Sequence, residues 1–268
     1  MHIPTPAVSS LDLGFLHVRI YALCIVLGAV FAVIVAIWRA KQLRKTDCAV
    51  EVCTQNIIDV ALISLPAAIV GARLYYVITV PAHYIEYPLD VFAIWQGGLG
   101  IMGGLVFGVA AAVVACQKLK INLAHFAYCA VPPIPLAQAI GRLGNWFNGE
   151  LYGYQTDLPW GLDLSRGQYT AQFFYHPTFL YEILWNLVVF AVLLVLFNRR
   201  FYNKLLVIPT YLVLYTAGRI VVENFRIDTS EYFLGLRINM WCAGGLLIFG
   251  IIWIGLIACK KFSLNCEI

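Results

Sequence analysis

The amino-acid sequence has 268 residues, a formal net charge of +4, 62% hydrophobic side chains and only 12% charged ones. Soluble domains carry about 25% charged residues, so this composition excludes an ordinary soluble domain and indicates a chain whose main solvent is lipid. The few basic residues form no clustered face, and nucleic acid is therefore not expected as a partner.

Seven apolar runs follow one another along the chain, each close to the roughly 20 residues that a helix needs to cross a bilayer. They cover about residues 17–38, 57–80, 98–117, 122–140, 177–198, 205–225 and 238–259. The expected fold class is all-α, a polytopic bundle of about seven transmembrane helices. Most of the positive charge near the first run follows it, the reverse of a cleavable signal peptide, so we expect this run to remain in the mature protein.

The lysines predict the orientation of these helices, because Lys and Arg in short loops are retained on the cytoplasmic side of a membrane. All seven lysines fall in alternate connections or at the C-terminal end: Lys41, Lys45, Lys118, Lys120, Lys204, Lys260 and Lys261. The connections on the other side carry acidic residues and no lysine. The N-terminus is therefore predicted to lie outside and the C-terminus in the cytoplasm.

The chain is expected to form one membrane domain over residues 1–268. Residues 141–176, between the fourth and fifth runs, are polar and aromatic and too long for a simple turn, and they predict a small outer cap. A second feature is the glycine-dense segment from Gly97 to Gly104 at the start of the third run. Its glycines fit close helix packing and equally a backbone that approaches a ligand, and the sequence does not decide between the two.

The sequence offers few familiar catalytic groups. Its eight cysteines form no CxxC pair and no Cys/His group with the spacing of metal ligands, so no metal site is expected. No Gly-x-Ser-x-Gly sequence and no Ser/His/acid grouping occurs. If the chain is an enzyme, its nucleophile should therefore belong to the substrate.

Charged residues inside the apolar runs are the strongest functional indication, because an arginine at mid-bilayer costs about 2.5–3.5 kcal/mol unless it has a partner or a cavity. On the sixth run, four polar residues are spaced by four, four and three positions and so share one helix face. They are Tyr215, Arg219, Glu223 and Arg226. This stripe predicts either an ion pair that locks helices together or the wall of a polar cavity.

The segment Gly141–Gly153 interleaves one arginine, two asparagines and a glutamate with glycines at the predicted membrane surface. Arginine presents planar donors that suit phosphate, and glycine lets main-chain N–H groups approach the same anion. The expected ligand is a phospholipid headgroup. His176, which precedes the fifth run, is by itself more typical of an interfacial residue than of a catalyst.

These features resemble the prolipoprotein diacylglyceryl transferases of bacterial membranes over nearly the whole chain. The matching motifs are Gly141–Gly153, Tyr21, Gly71-x-Arg73, His176-Pro177 with Tyr181-Glu182, and the stripe on the sixth run. The resemblance implies transfer of the diacylglyceryl group from phosphatidylglycerol to the thiol of the lipobox cysteine in a prolipoprotein signal peptide. A thioether would form and glycerol phosphate would be released, as the first step of lipoprotein maturation.

The resemblance also implies no cofactor, and a multi-pass protein of the bacterial cytoplasmic (inner) membrane whose active site faces the outer leaflet. Arg142 and Arg219 are expected to be catalytic and to clamp the headgroup phosphate. The other residues expected to bind phosphatidylglycerol are Asn145, Asn148, Glu150, Gly153, Tyr21, Tyr215 and Glu223. Of these, the asparagines would bind the glycerol hydroxyls, the glutamates would orient the arginines and the tyrosines would line the cavity.

The chain departs from the family pattern at Met102, where relatives often carry a histidine that is proposed as the base. Because methionine cannot accept a proton, the candidates for thiol activation are His176, Tyr215 and the field of the arginines alone, which we favour. The departure leaves an inactive relative as an alternative. A transporter of an anionic lipid is a rival interpretation, but it predicts polar residues in the inner helix halves, where Asp59 is almost alone.

Overall fold

Long α-helices make up most of the protein in the computed structural model, which describes residues 2–12, 14, 17–46, 52–165, 173–197, 203–227 and 232–266. The helices in these ranges are α1 (Ile20–Thr46), α2 (Thr54–Thr79), α3 (Pro81–Glu86), α4 (Ile101–Lys118), α5 (Leu123–Ala130), α6 (Ile134–Asn148), α7 (Thr178–Leu196), α8 (Val207–Glu223) and α9 (Ile238–Cys266). The strands are β1 (Ile3–Pro4), β2 (Ser10–Asp12), β3 (His17–Arg19), β4 (Leu162–Asp163), β5 (Phe174–Tyr175), β6 (Tyr232–Phe233) and β7 (Leu236–Arg237).

Within the described ranges, six helices are long and apolar enough to cross a membrane, namely α1, α2, α4, α7, α8 and α9. The pair α5 and α6 makes a seventh if the two are one broken span. Each of these helices coincides with one of the predicted apolar runs. The all-α, polytopic membrane fold is therefore confirmed, whereas the orientation of the termini stays a prediction.

The fourth predicted run is interrupted by Pro132 and Pro133, which separate α5 from α6. Proline lacks the N–H and the space that an uninterrupted helix needs, so the chain breaks there. Helix α6 then continues to Asn148 and ends at Gly149, whose φ of 62° is a left-handed conformation that glycine adopts without strain. Residues 141–148 of the predicted cap are therefore the end of α6, and residues 166–172 of that cap lie outside the described residues. The cap over about residues 141–176 stays a prediction.

The first of two compact units consists of Met1–Val35 and Ala130–Ile268. In it, β4 pairs in parallel with β1 and antiparallel with β5, so the start of the chain is joined to the connection between α6 and α7. Two antiparallel pairs, β2 with β3 and β6 with β7, form hairpins before α1 and α9. Leu162 of β4 forms a buried hydrophobic cluster with Leu164 and Phe179. This packing positions the beginning of α7.

The second unit, Ala36–Cys129, depends on close contact between α2 and α4. A Cβ atom at Gly103 would collide with the carbonyl oxygen of Gly71, and one at Gly71 would collide with the side chain of Phe107. Only a hydrogen atom fits at these two positions, and small residues of this kind let membrane helices approach closely. Of the two interpretations of the glycine-dense segment, the structure shows helix packing at Gly103.

Arg73 connects α2 to the segment that precedes α4. Its side chain is buried, and within the described ranges its guanidinium donates hydrogen bonds to main-chain carbonyls alone. The acceptors are Val91 at 2.9 Å, Gly97 at 2.6 Å, Gly98 at 3.0 Å, Ala93 at 3.4 Å and Asp90. These bonds satisfy an arginine that would otherwise be costly in an apolar setting.

We expect Gly103→Ala to lower the thermal unfolding temperature of the purified protein in detergent. The added methyl group meets the backbone of α2, and overpacking of this kind costs about 1–3 kcal/mol of unfolding free energy. Gly244→Ala on α9 is the matched control, because nothing lies within 4 Å of a Cβ atom built there. Equal unfolding temperatures for the two variants would contradict the packing described for α2 and α4.

Candidate functional site

Two arginines from different helices share one carboxylate. Arg142 on α6 forms an ion pair through Nε with Glu182 on α7, and Arg219 on α8 binds the other oxygen of the same carboxylate through NH1. The Glu182 side chain is only 10% exposed. Because water screens such a group little, its interactions with the two guanidinium groups are strong. Three helices are therefore joined at a single side chain.

Glu223, at the end of α8, continues this network. Its side chain is 1% exposed, and Oε2 accepts from NH2 of Arg219 at 2.8 Å and from NH1 of Arg226 at 3.4 Å. Its other oxygen, Oε1, lies 3.2 Å from Nε of Arg237 and accepts from Nδ2 of Asn239 at 3.1 Å. Three residues of the stripe predicted on the sixth run, Arg219, Glu223 and Arg226, thus belong to one ion-pair network. The network also includes Arg237 and, through a hydrogen bond, Asn239 in the first turn of α9.

A hydrogen-bonded arm extends from Arg142 toward the end of α6. NH1 of Arg142 donates to Oδ1 of Asn145 at 3.3 Å, and Nδ2 of Asn145 donates to Oε1 of Glu150 at 2.8 Å. Asn148 donates to the same glutamate oxygen at 3.2 Å. Glu150 therefore reaches Arg142 only through Asn145, and the carboxylate in direct contact with Arg142 is that of Glu182.

Tyr21 packs against the N-terminal side of this arm. A Cβ atom at Gly144 would lie 2.6 Å from Cδ2 of Tyr21, so glycine is required for α1 and α6 to approach this closely. The phenol of Tyr21 interacts electrostatically with Arg142 and Glu150. The structure thus brings Tyr21 together with the residues of Gly141–Gly153.

Tyr215 lies on α8, one helical turn before Arg219. Its ring stacks on that of Tyr211, with the centroids 5.8 Å apart. Together with Glu182 and Arg219 it lines a narrow crevice between α7 and α8. The tyrosine predicted to line the cavity therefore stands beside the shared carboxylate.

Gly153 is enclosed by two other segments of main chain. Its N–H donates to the carbonyl of His176 at 2.8 Å, and it forms a β-bridge with Arg226. A Cβ atom at Gly153 would lie 2.5 Å from the carbonyl oxygen of Phe225. Gly153 thus fastens the connection after α6 to the segments before α7 and after α8, and its assignment to lipid binding stays a prediction.

His176, a candidate for thiol activation, and Met102, where relatives often carry the proposed base, have different neighbours. Nδ1 of His176 is 2.9 Å from the hydroxyl of Tyr181, and its ring packs against Phe225. Within the described residues, His176 has no hydrogen bond or ion pair with the arginine and glutamate side chains of the network. Met102 belongs to α4 of the second unit and is half exposed. The identity of the thiol base stays a prediction.

Four members of the network carried no site assignment from the sequence. Glu182 and Arg226 were named only within the motifs of the fifth and sixth runs, and Arg237 and Asn239 were not named. A glutamate in an apolar helix start needs a cationic partner, and this requirement could have pointed from Glu182 to the arginines. Arg237 is the last residue of β7 and Asn239 lies in the first turn of α9, and no spacing rule connects either residue to Glu223.

The arrangement suits an anionic ligand that also carries hydroxyl groups. Guanidinium groups held by carboxylates are fixed donors, and they can stabilise negative charge that develops on a bound group. The neighbouring asparagine and glutamate side chains offer donors and acceptors for hydroxyls. Among the described residues, no group of three or more His, Cys, Asp or Glu side chains is arranged to hold a metal ion.

Comparison with known proteins identifies the family. A family model for prolipoprotein diacylglyceryl transferase matches residues 8–256. Relatives named phosphatidylglycerol-prolipoprotein diacylglyceryl transferase include one from Streptomyces griseus, which is 42% identical over 94% of this chain and 76% of its own length. One from Frankia alni is 43% identical over 91% of this chain and 66% of its own length. One from Bifidobacterium longum subsp. infantis is 38% identical over 94% of this chain and 84% of its own length. The chain therefore belongs to the prolipoprotein diacylglyceryl transferase family.

Proposed function

We propose that this protein transfers the diacylglyceryl group of phosphatidylglycerol to the cysteine thiol in the lipobox of a prolipoprotein, and that it releases glycerol phosphate. Family membership supports the reaction class. The observation that carries the proposal within the structure is the pair of arginines, Arg142 and Arg219, held on one carboxylate inside a membrane-spanning protein. A partly buried cationic pair of this kind is suited to a phospholipid headgroup.

The reaction breaks one bond and forms another at the same carbon. The cysteine thiol gives up its proton to water, and the thiolate sulfur attacks the glycerol carbon that carries the phosphate. A C–S bond forms and the C–O bond to the phosphate breaks. The departing glycerol phosphate keeps the electron pair and gains negative charge as the transition state forms. Preplaced guanidinium groups stabilise that charge more strongly in the transition state than in the bound substrate, which lowers the barrier.

In this mechanism Arg142 and Arg219 contact the phosphate, and Glu182 and Glu223 hold the arginines in place. The Arg142 side chain is 24% exposed and that of Arg219 16%, so Arg142 is the more accessible of the two. Because Glu182 occupies the space between them, the phosphate approaches the guanidinium edges that Glu182 leaves uncovered. Preformed ion pairs remove the need to orient two flexible side chains when the lipid binds.

The remaining predicted residues are assigned to the other parts of the lipid headgroup. Asn148 and Glu150, at the end of the hydrogen-bonded arm, would bind the terminal glycerol hydroxyls, and Asn145 would link them to Arg142. Tyr21 and Tyr215 would line the cavity on either side. Gly153 would keep the surrounding main-chain segments in register rather than contact the lipid through a side chain.

Thiol activation is assigned to the field of the arginines. A free cysteine thiol has a pKa of about 8.5, and nearby cations favour the thiolate. Met102 cannot accept the proton, and His176 and Tyr215 are the alternative acceptors. His176 is already hydrogen-bonded to Tyr181, which supports a structural role for its ring.

The protein is a multi-pass membrane protein. We place it in the bacterial cytoplasmic membrane with the N-terminus outside, the C-terminus in the cytoplasm and the active site toward the outer leaflet. The distribution of the lysines supports this orientation, because basic residues of short loops are retained in the cytoplasm. Glu182 at the start of α7 and Glu223 at the end of α8 lie at the helix ends that this orientation places outside.

The test is a transfer assay with the purified protein in lipid vesicles. Phosphatidylglycerol labelled in its diacylglyceryl group is mixed with a lipobox peptide, and label on the peptide is followed with time. We expect transfer to the cysteine peptide and none to a matched peptide with serine in place of cysteine. Phosphatidylethanolamine labelled in the same way is the control for the headgroup. Absence of label on the cysteine peptide, with folded protein, would overturn the proposed function.

A further inference from the structure

Asn186 stands in the crevice beside the shared carboxylate, although nothing in the sequence singled it out. It lies on α7 one helical turn after Glu182 and therefore on the same helix face. The crevice is lined by Asn186 together with Tyr215 and Arg219 from α8. Asn186 is 3% exposed, so its carboxamide is shielded from water. Glu182 and Arg219 of the network line the same crevice.

The carboxamide oxygen of Asn186 has no hydrogen-bond partner among the described residues. A buried polar atom without a partner costs free energy, so native proteins rarely keep one that serves no purpose. Thr216, on the facing helix α8, gives the contrast. It is equally buried, but its hydroxyl lies within hydrogen-bond distance of the carbonyls of Leu212 at 2.7 Å and Val213 at 3.3 Å.

The unsatisfied oxygen of Asn186 requires a particular kind of partner. An amide oxygen accepts hydrogen bonds, so it calls for a donor group on a ligand. The crevice has room for about one water-sized group, which matches a hydroxyl or a thiol. The ester groups of a phospholipid only accept hydrogen bonds, so they do not satisfy this oxygen.

We propose that Asn186 is a substrate-binding residue whose side-chain oxygen accepts a hydrogen bond from an O–H or S–H group of a substrate. This inference rests on the proposed function. Two groups in that reaction have the required chemistry, a headgroup hydroxyl of phosphatidylglycerol and the cysteine thiol of the precursor. Either one, when held by Asn186, lies next to Glu182 and Arg219.

The test is Asn186→Leu, which replaces the carboxamide with an apolar group of similar size. The unfolding temperature in detergent should stay equal or rise, because an unpartnered polar group is removed from an apolar setting. The KM for one substrate should rise roughly 10-fold, because the hydrogen bond to that substrate is lost. Thr216→Val is the matched control: it removes a buried hydroxyl of α8 whose partners belong to its own helix, and neither KM should change.

The KM values show which substrate Asn186 binds, and they test its assignment separately from the transferase function. A raised KM for phosphatidylglycerol assigns Asn186 to a headgroup hydroxyl, and a raised KM for the peptide assigns it to the thiol. If leucine lowers the unfolding temperature, Asn186→Ala, which removes the same oxygen without filling the site, is measured in the same way. Unchanged KM values for both substrates in a folded variant overturn the assignment of Asn186 while leaving the transferase function intact. No transfer by the wild-type protein overturns the proposed function and this inference with it.

Discussion

Glu182→Ala is expected to reduce diacylglyceryl transfer by at least about 100-fold and to lower the thermal unfolding temperature. One carboxylate holds Arg142 and Arg219, so its removal leaves two neighbouring guanidinium groups that repel each other. Removing one partner of a buried ion pair costs about 3–5 kcal/mol, much of it from the charge that is left behind. The measurements are the initial rate of label transfer in vesicles and thermal unfolding in detergent.

Glu182→Gln separates the charge of this residue from its shape. It keeps the size of the side chain and one acceptor oxygen, so the loss of stability should be smaller while transfer remains strongly reduced. Glu86→Gln is the control, because Glu86 is an exposed carboxylate at the end of α3. Transfer at the wild-type rate by Glu182→Gln would show that the negative charge is not needed to position the arginines.

Arg142→Lys is expected to lower kcat by roughly 10²–10³-fold, the effect of losing one donor to developing negative charge. Lysine keeps the positive charge but presents a single point donor. It cannot contact Glu182 and Asn145 from two edges, as the guanidinium does. We therefore expect the loss to appear in transfer far more than in folding, with an unfolding temperature close to that of the wild type.

Arg44→Lys is the matched substitution, at an exposed position in the last turn of α1. It should leave both the rate and the unfolding temperature unchanged. If Arg142→Lys transferred label as fast as Arg44→Lys, a positive charge alone would suffice, and the fixed geometry of the guanidinium would have no part in the mechanism.

The membrane helices could be predicted from sequence because hydropathy depends on composition over about 20 residues, which is a local property. The same measure could not predict the break between α5 and α6, since Pro132 and Pro133 are apolar enough to extend a run but cannot continue a helix. Hydropathy also ended the fourth run at about residue 140, whereas α6 continues to Asn148. Arg142 and Asn145 are polar, yet they lie in α6, where Arg142 pairs with Glu182 on α7 and Asn145 bonds to Glu150 in the connection after α6.

Site contacts within a single helix could be predicted from the spacing of residues along it. Arg219 and Glu223 are four residues apart on α8, and their ion pair follows from that spacing. The contact of Glu182 with Arg142 joins residues on different helices, and no local rule connects them. Glu150 was expected to orient the arginines; in the structure it is connected to Arg142 through Asn145, and the carboxylate in direct contact with Arg142 is that of Glu182 on the next helix. Tertiary contacts of this kind are set by packing, which the sequence pattern does not display.

The shared carboxylate makes the two arginines energetically dependent on each other. When Arg142 is lost, Glu182 retains Arg219; when both are lost, a buried negative charge remains without either guanidinium. The free-energy cost of the double substitution therefore differs from the sum of the two single costs. Substitutions at these three positions, which lie on three helices and are distant along the chain, are therefore expected to be tolerated in combinations that their single effects do not predict.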